Sequence, residues 1–153
     1  MEGIIPELRR MTRVENRVRY VILFFAIAGI VVSSLALKVH YDPPGKEPCS
    51  INDKWDCGTV NHSPFAVVHG VPVAAIGIAG YVLLGVLALA RRKALVLTCA
   101  VIGLGFAIHL SDIEAYALGV WCLYCVISQF IIAIVALLSL IWTAWPRLRA
   151  GAA

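Results

Sequence analysis

Charge is what this chain has least of. Lys, Arg, Asp and Glu make up 14% of the 153 residues, against about 25% in ordinary soluble domains. Apolar residues reach 61%. A chain this short has too little interior to hide that much apolar surface from water. The deficit therefore excludes an ordinary water-soluble domain, and the membrane is the expected solvent. No cleavable leader is expected from the first nineteen residues, which are polar and arginine-rich and are followed by a full-length apolar run. There is no second Cys-x-x-Cys to complete a four-sulfur zinc set, and no nucleic-acid partner is expected.

What is present are four apolar stretches. They cover about Tyr20–Val39, about Pro72–Ala90, a run from Ala94 that fades near Leu110–Leu118, and one from near Val120 to Trp142–Trp145. Each is long enough for one hydrocarbon crossing as a helix, the form that satisfies its own backbone groups in lipid. The third is the least regular, since His109, Asp112 and Glu114 lie at its end. The fold class expected is an all-α integral membrane protein, a bundle of four transmembrane helices with a loop and half-helix lid outside the cytoplasm. Residues 1–19 form a basic cytoplasmic segment, 20–145 the membrane domain with its outer loop at about 40–71, and 146–153 a cytoplasmic tail.

Charge placement orients the bundle. Arg9, Arg10, Arg13, Arg17 and Arg19 precede the first stretch, Arg91, Arg92 and Lys93 join the second to the third, and Arg147 and Arg149 follow the fourth. The positive-inside rule places these segments, and hence both termini, in the cytoplasm. Trp121 and Tyr124 at one boundary, and Trp142 and Trp145 at the other, read as interfacial anchors.

The five cysteines then sort by side. Cys49 and Cys57 lie in the long outer loop, Cys122 and Cys125 at the outer end of the last helix, and Cys99 near the inner face, where core packing is its expected role. Four cysteines thus gather where disulfides persist. In Cys122-Leu-Tyr-Cys125 the sulfurs share one helix face, and a helix starting there favours a thiolate on the first cysteine. Gly119 just upstream suits such a start. Cys49 and Cys57 enclose a polar span, SINDKWD. Alone this pair reads as a structural loop disulfide. Together the two pairs form a disulfide-exchange chain that needs no metal. Its electrons require an acceptor, and a quinone dissolves in the bilayer and takes two, matching one dithiol.

These residues resemble the vitamin K epoxide reductase family over about residues 15–142. The resemblance rests on Cys49-x7-Cys57, on Ser63, on Ile76-Gly77 to Tyr81 at the start of the second helix, and on Cys122-x-x-Cys125 opening the last. The other quinone-linked disulfide oxidase of bacteria, the DsbB type, carries its pairs in the opposite order. The resemblance implies that Cys122 exchanges with the loop, through Cys57, that Cys125 faces the quinone, and that Cys49 meets an external partner. It also implies that Ser63 lies on a half-helix over the pocket. Asn61, Ser63, Phe65, Ile76 and Gln129 are the quinone contacts it leads us to expect. Ser63-Pro64 reads independently as an N-cap followed by proline at the first helical position, with Phe65 to Val68 as an apolar lid closed at Gly70–Pro72. In animal members a tyrosine occupies the position of Gln129, which weakens an epoxide assignment. Many bacterial members carry a fused thioredoxin-like domain; here a separate, DsbA-like partner is expected.

The reading is a thiol–quinone oxidoreductase of a prokaryotic plasma membrane, passing electrons from that partner through Cys49/Cys57 and Cys122/Cys125 to a ubiquinone, menaquinone or vitamin K quinone. Three alternatives stay open: a vitamin K quinone or epoxide reductase, a tetraspan protein whose disulfides are only structural, and a cysteine-bound zinc site. His62 and His69, seven apart, suggest no pairing. His109, Asp112 and Glu114 read as a solvated helix end, with proton relay to the quinone as the other reading.

Overall fold

The computed structural model describes residues 4–43, 45 and 47–150. The chain is mostly helical, with α1 (Ile4–Tyr41), α2 (Cys57–Asn61), α3 (Val73–Leu89), α4 (Lys93–Ile113) and α5 (Leu123–Ala150). No glycine or proline falls between residues 7 and 28, so the basic segment and the first apolar run form one helix rather than a tail and a helix. It stops at Tyr41 because Pro43 disfavours helical backbone in the residue before it.

Three spans, Thr12–Tyr41, Lys93–Leu118 and Leu123–Ala144, are long and apolar enough to cross a membrane. In their most apolar windows only 28%, 11% and 33% of residues are buried within the chain. Most of their apolar surface therefore faces outward, which water would not tolerate but lipid does. The 17 residues of α3 reach about 26 Å, slightly less than a hydrocarbon core.

The four long helices run alternately up and down. At one end Lys93, opening α4, pairs with Glu15 of α1 and sits 5.6 Å from the ring centre of Trp142 in α5. At the other, Val32 and Ala36 of α1, Gly77 of α3, Leu110 of α4 and Cys125 of α5 surround one cavity. The main core between them includes Ile22, Tyr81, Leu84, Val96, Val135 and Trp142. Tyr81 joins α3 to α5, its hydroxyl donating to the Ser128 carbonyl at 2.9 Å with the Ser128 hydroxyl equally near. The tyrosine ring lies flat against Gly29, where any β-carbon would collide with it. Cys99 packs at the edge of this core, as expected.

Four expectations are corrected. Trp142 is no interfacial anchor: it is 3% exposed, within the core. The side chain of Trp145 lies outside the described residues. The third helix does not fade; α4 continues as a π-helical turn, Glu114–Leu118. Gly119 ends that turn in the left-handed conformation (φ 69°) rather than opening α5, which starts four residues later. The lid is only partly helical. A 3-10 turn at Pro64–Ala66 leads into a two-stranded hairpin, β1 (Val67–Val68) and β2 (Val71–Pro72), closed by His69-Gly70 with both φ angles positive. Two such residues are what a tight hairpin turn demands.

Candidate functional site

The outer cysteine pair is held by a turn that reaches the start of the last helix. Asn52 takes the backbone N–H groups of Lys54 and Trp55 on its side-chain oxygen, reversing the chain. Trp55 then pairs in parallel with Trp121: the Trp121 N–H donates to Lys54 O at 2.8 Å, and Asp56 N–H to Trp121 O at 3.0 Å. Asp56 caps α2, accepting from the Thr59 N–H and hydroxyl and from Ser50. The Thr59 hydroxyl first, then its N–H, hold the Asp56 carboxyl below its usual range. Cys57 is consequently the first residue of α2 and is disulfide-bonded to Cys49, Cα–Cα 5.8 Å. The pairing at Trp55–Trp121 brings this disulfide to the Cys122 side of the bundle.

Cys49, Cys57 and Cys122 share a single buried cluster with Val39 and Val60, and Cys125 packs against it. Both pairs therefore lie at the same end of the molecule. Cys122 and Cys125 are free thiols. Cys122 immediately precedes α5, so its sulfur meets the open helix end: the Cys125 N–H donates to it at 3.4 Å. Asn61 donates its amide to Cys122 Sγ at 3.5 Å and to the Cys57 carbonyl at 2.9 Å. The Cys125 thiol first, then the Cys125 N–H and Asn61, hold the Cys122 thiol below its usual range. Burial and the Glu114 carboxylate oppose them without prevailing. The site thus favours a thiolate at Cys122, the species that attacks disulfides.

Cys125 faces a different environment. It lines an open-sided cavity walled almost wholly by apolar groups. Of the residues expected to touch a quinone, Asn61, Ser63 and Phe65 line this cavity. Ile76 does not; it lies on a neighbouring cleft between α3 and α4. Gln129 is off the lining as well, its side-chain oxygen accepting from Ser111. Ser63 occupies the N-cap position before Pro64, but its hydroxyl turns back to donate to Val60 O at 2.8 Å and caps nothing.

Glu114 departs from the solvated helix end first expected of it, and His40 takes a place that the sequence did not mark. Glu114 is 2% exposed, not solvated. Its carboxylate accepts the Cys122 N–H at 2.9 Å and borders the cavity. The available signal was a carboxylate eight residues before Cys122 and two after Asp112, at the end of an apolar run, since buried charge in a membrane span is costly and rarely idle. His40 stacks on His62, centroids 6.4 Å apart, and its Nδ1 lies 2.6 Å from Asn61 O. It thereby ties the end of α1 to α2. No signal in the sequence marked it. His62 also contacts the carbonyls of Gly58 and Asp42. Among the described residues, no group of three or more His, Cys, Asp or Glu is arranged to hold a metal.

The arrangement joins a disulfide, a thiol biased to its thiolate, and a second thiol bordering an apolar cavity. The family model for the vitamin K epoxide reductase family matches residues 20–140. No curated protein matches the chain.

Proposed function

As the chain belongs to the vitamin K epoxide reductase family, membrane oxidoreductases of quinone and vitamin K chemistry, we propose that it is a thiol–quinone oxidoreductase serving disulfide formation. Four helices cross the membrane with both termini in the cytoplasm and the cysteine end outside. A separate thioredoxin-like protein delivers electrons to the Cys49–Cys57 disulfide. The loop dithiol reduces a Cys122–Cys125 disulfide, through Cys57 and Cys122. The resulting core dithiol reduces a quinone at the cavity. Two thiols lose two electrons and two protons and become a disulfide, while the quinone gains both and becomes a quinol.

One observation carries this reading: Cys122 is buried with the loop disulfide while its neighbour Cys125 borders an apolar cavity. An arrangement of purely structural disulfides gives no reason for that division. Asn61, Ser63 and Phe65 line the cavity beside Cys125, and its apolar walls suit a quinone ring with few polar contacts. Gln129 accepts from Ser111 and is not part of the cavity lining, which gives the epoxide reading no support at that position.

The test follows quinone absorbance with purified protein, a short-chain ubiquinone and a reduced thioredoxin-like donor. Turnover is expected, with Cys125→Ser abolishing quinone reduction and Cys122→Ser stopping transfer from loop to core. Full turnover by Cys125→Ser refutes the role given to that sulfur.

A further inference from the structure

Glu114 is a carboxylate enclosed within an apolar span, and structure alone does not require it there. A backbone carbonyl or a water molecule would satisfy the Cys122 N–H at less desolvation cost. Its surroundings are specific. The carboxylate accepts the N–H of one cysteine of the core pair at 2.9 Å and lines the same cavity as the other. Among the described residues it is the only carboxylate bordering the cavity beside Cys125. The π-helical turn at Glu114–Leu118 begins at this residue, and such turns commonly re-aim side chains at functional sites. Asp112 and His109, the nearest other ionisable groups on α4, do not line the cavity.

The Cys125 thiol has one proton, and it must leave before the two core sulfurs can join. We propose that Glu114 is the catalytic base and acid of the quinone step, accepting the Cys125 proton and delivering it to a quinone oxygen. This rests on the reading of the cavity as the quinone site. In the forward step the Cys122 thiolate bonds to the Cys125 sulfur, two electrons pass to the quinone, and the Cys125 proton moves to the Glu114 carboxylate. The carboxylic acid then protonates the reduced quinone and is a carboxylate again. The second proton of the quinol is the one that Cys122 lost on becoming a thiolate. Electrons and protons balance, and Glu114 ends as it began.

The role separates from a merely positional one because Glu114 also holds the Cys122 backbone. Glu114→Gln keeps an oxygen for the Cys122 N–H but cannot take a proton. Two single-turnover rates are measured on each protein: exchange from reduced loop to oxidised core, and reduction of a short-chain ubiquinone by the reduced core. General acid–base catalysis contributes about 10²–10⁴-fold. Glu114→Gln is expected to slow the quinone step by about a hundredfold or more while leaving exchange within a few-fold of the parent. Equal slowing of both steps, or an unchanged quinone step, overturns the proposal. If Glu114→Gln does not fold, Glu114→Ser, which has a hydroxyl but no carboxylate, is read by the same two criteria. A parent protein that does not reduce the quinone at all refutes the function proposed above instead.

Discussion

Asn61 links the two cysteine pairs, and its replacement tests whether that link sets the reactivity of Cys122. Asn61→Leu keeps the approximate volume and removes both donors. The bond to Cys122 Sγ spans 3.5 Å, the long end for a thiolate acceptor. Hydrogen bonds to charged groups contribute about 1.5–3 kcal/mol, and the length argues for the lower figure. A loss of about 1.5 kcal/mol weakens the thiolate against the thiol by about tenfold and so raises the Cys122 pKa. The sign follows because the bond favours the charged form: removing it leaves less thiolate at any pH below the pKa. Less thiolate slows attack by Cys122 on the Cys49–Cys57 disulfide, the reverse of the exchange proposed above, and that core-to-loop rate should fall by up to about tenfold. The lost bond to the Cys57 carbonyl, 2.9 Å, adds about 1 kcal/mol of destabilisation. The assay follows thiolate ultraviolet absorbance against pH in a Cys99→Ala background, beside stopped-flow exchange. An unchanged Cys122 titration with an unchanged exchange rate would refute the reasoning.

Other expectations follow from single contacts. Asp56→Ala removes the cap of α2 and should cost about 1 kcal/mol, read as a lower melting temperature in detergent. Because the folded-state pKa of Asp56 is depressed, its contribution is present at neutral pH and lost on acidification below about pH 4. Asp56→Asn should flatten that acid limb. Gly77 borders the cavity, and a β-carbon there would meet Ser33 Oγ at 3.0 Å. Gly77→Leu should therefore raise the KM for quinone while sparing loop-to-core exchange; an unchanged KM counts against this cavity. Tyr81→Phe loses the bond to Ser128 and should lower stability by about 1 kcal/mol, without altering either redox step.

The legible part of this protein was whatever depends on sums along the chain. Apolar runs reveal helices because transfer into lipid adds residue by residue, and arginine clusters order their ends because charge resists crossing. Cysteine spacing was legible for a similar reason: three residues along a helix place two sulfurs on one face. Glu114 shows where such reasoning stops. Its charge weakened the apolar pattern, so the helix seemed to end, yet a single N–H at Cys122 and the surrounding core make burial there acceptable. Ile76 and Gln129 lie on apolar helices near the cavity, but rotation about the helix axis turns them to other neighbours.

By itself the sequence determined the solvent, the helical class, the order of the paired cysteines and the separation of basic ends from cysteine-bearing connections. Tertiary structure alone decided that Cys122 lies against the loop disulfide and Cys125 against the cavity, that Asn61 spans both pairs, and that Glu114 is enclosed beside them. The reason is physical. Hydropathy and periodicity are local averages over neighbours in the chain, whereas reactivity at these sulfurs depends on hydrogen bonds only a few ångströms long, made by residues as far as 61 positions apart.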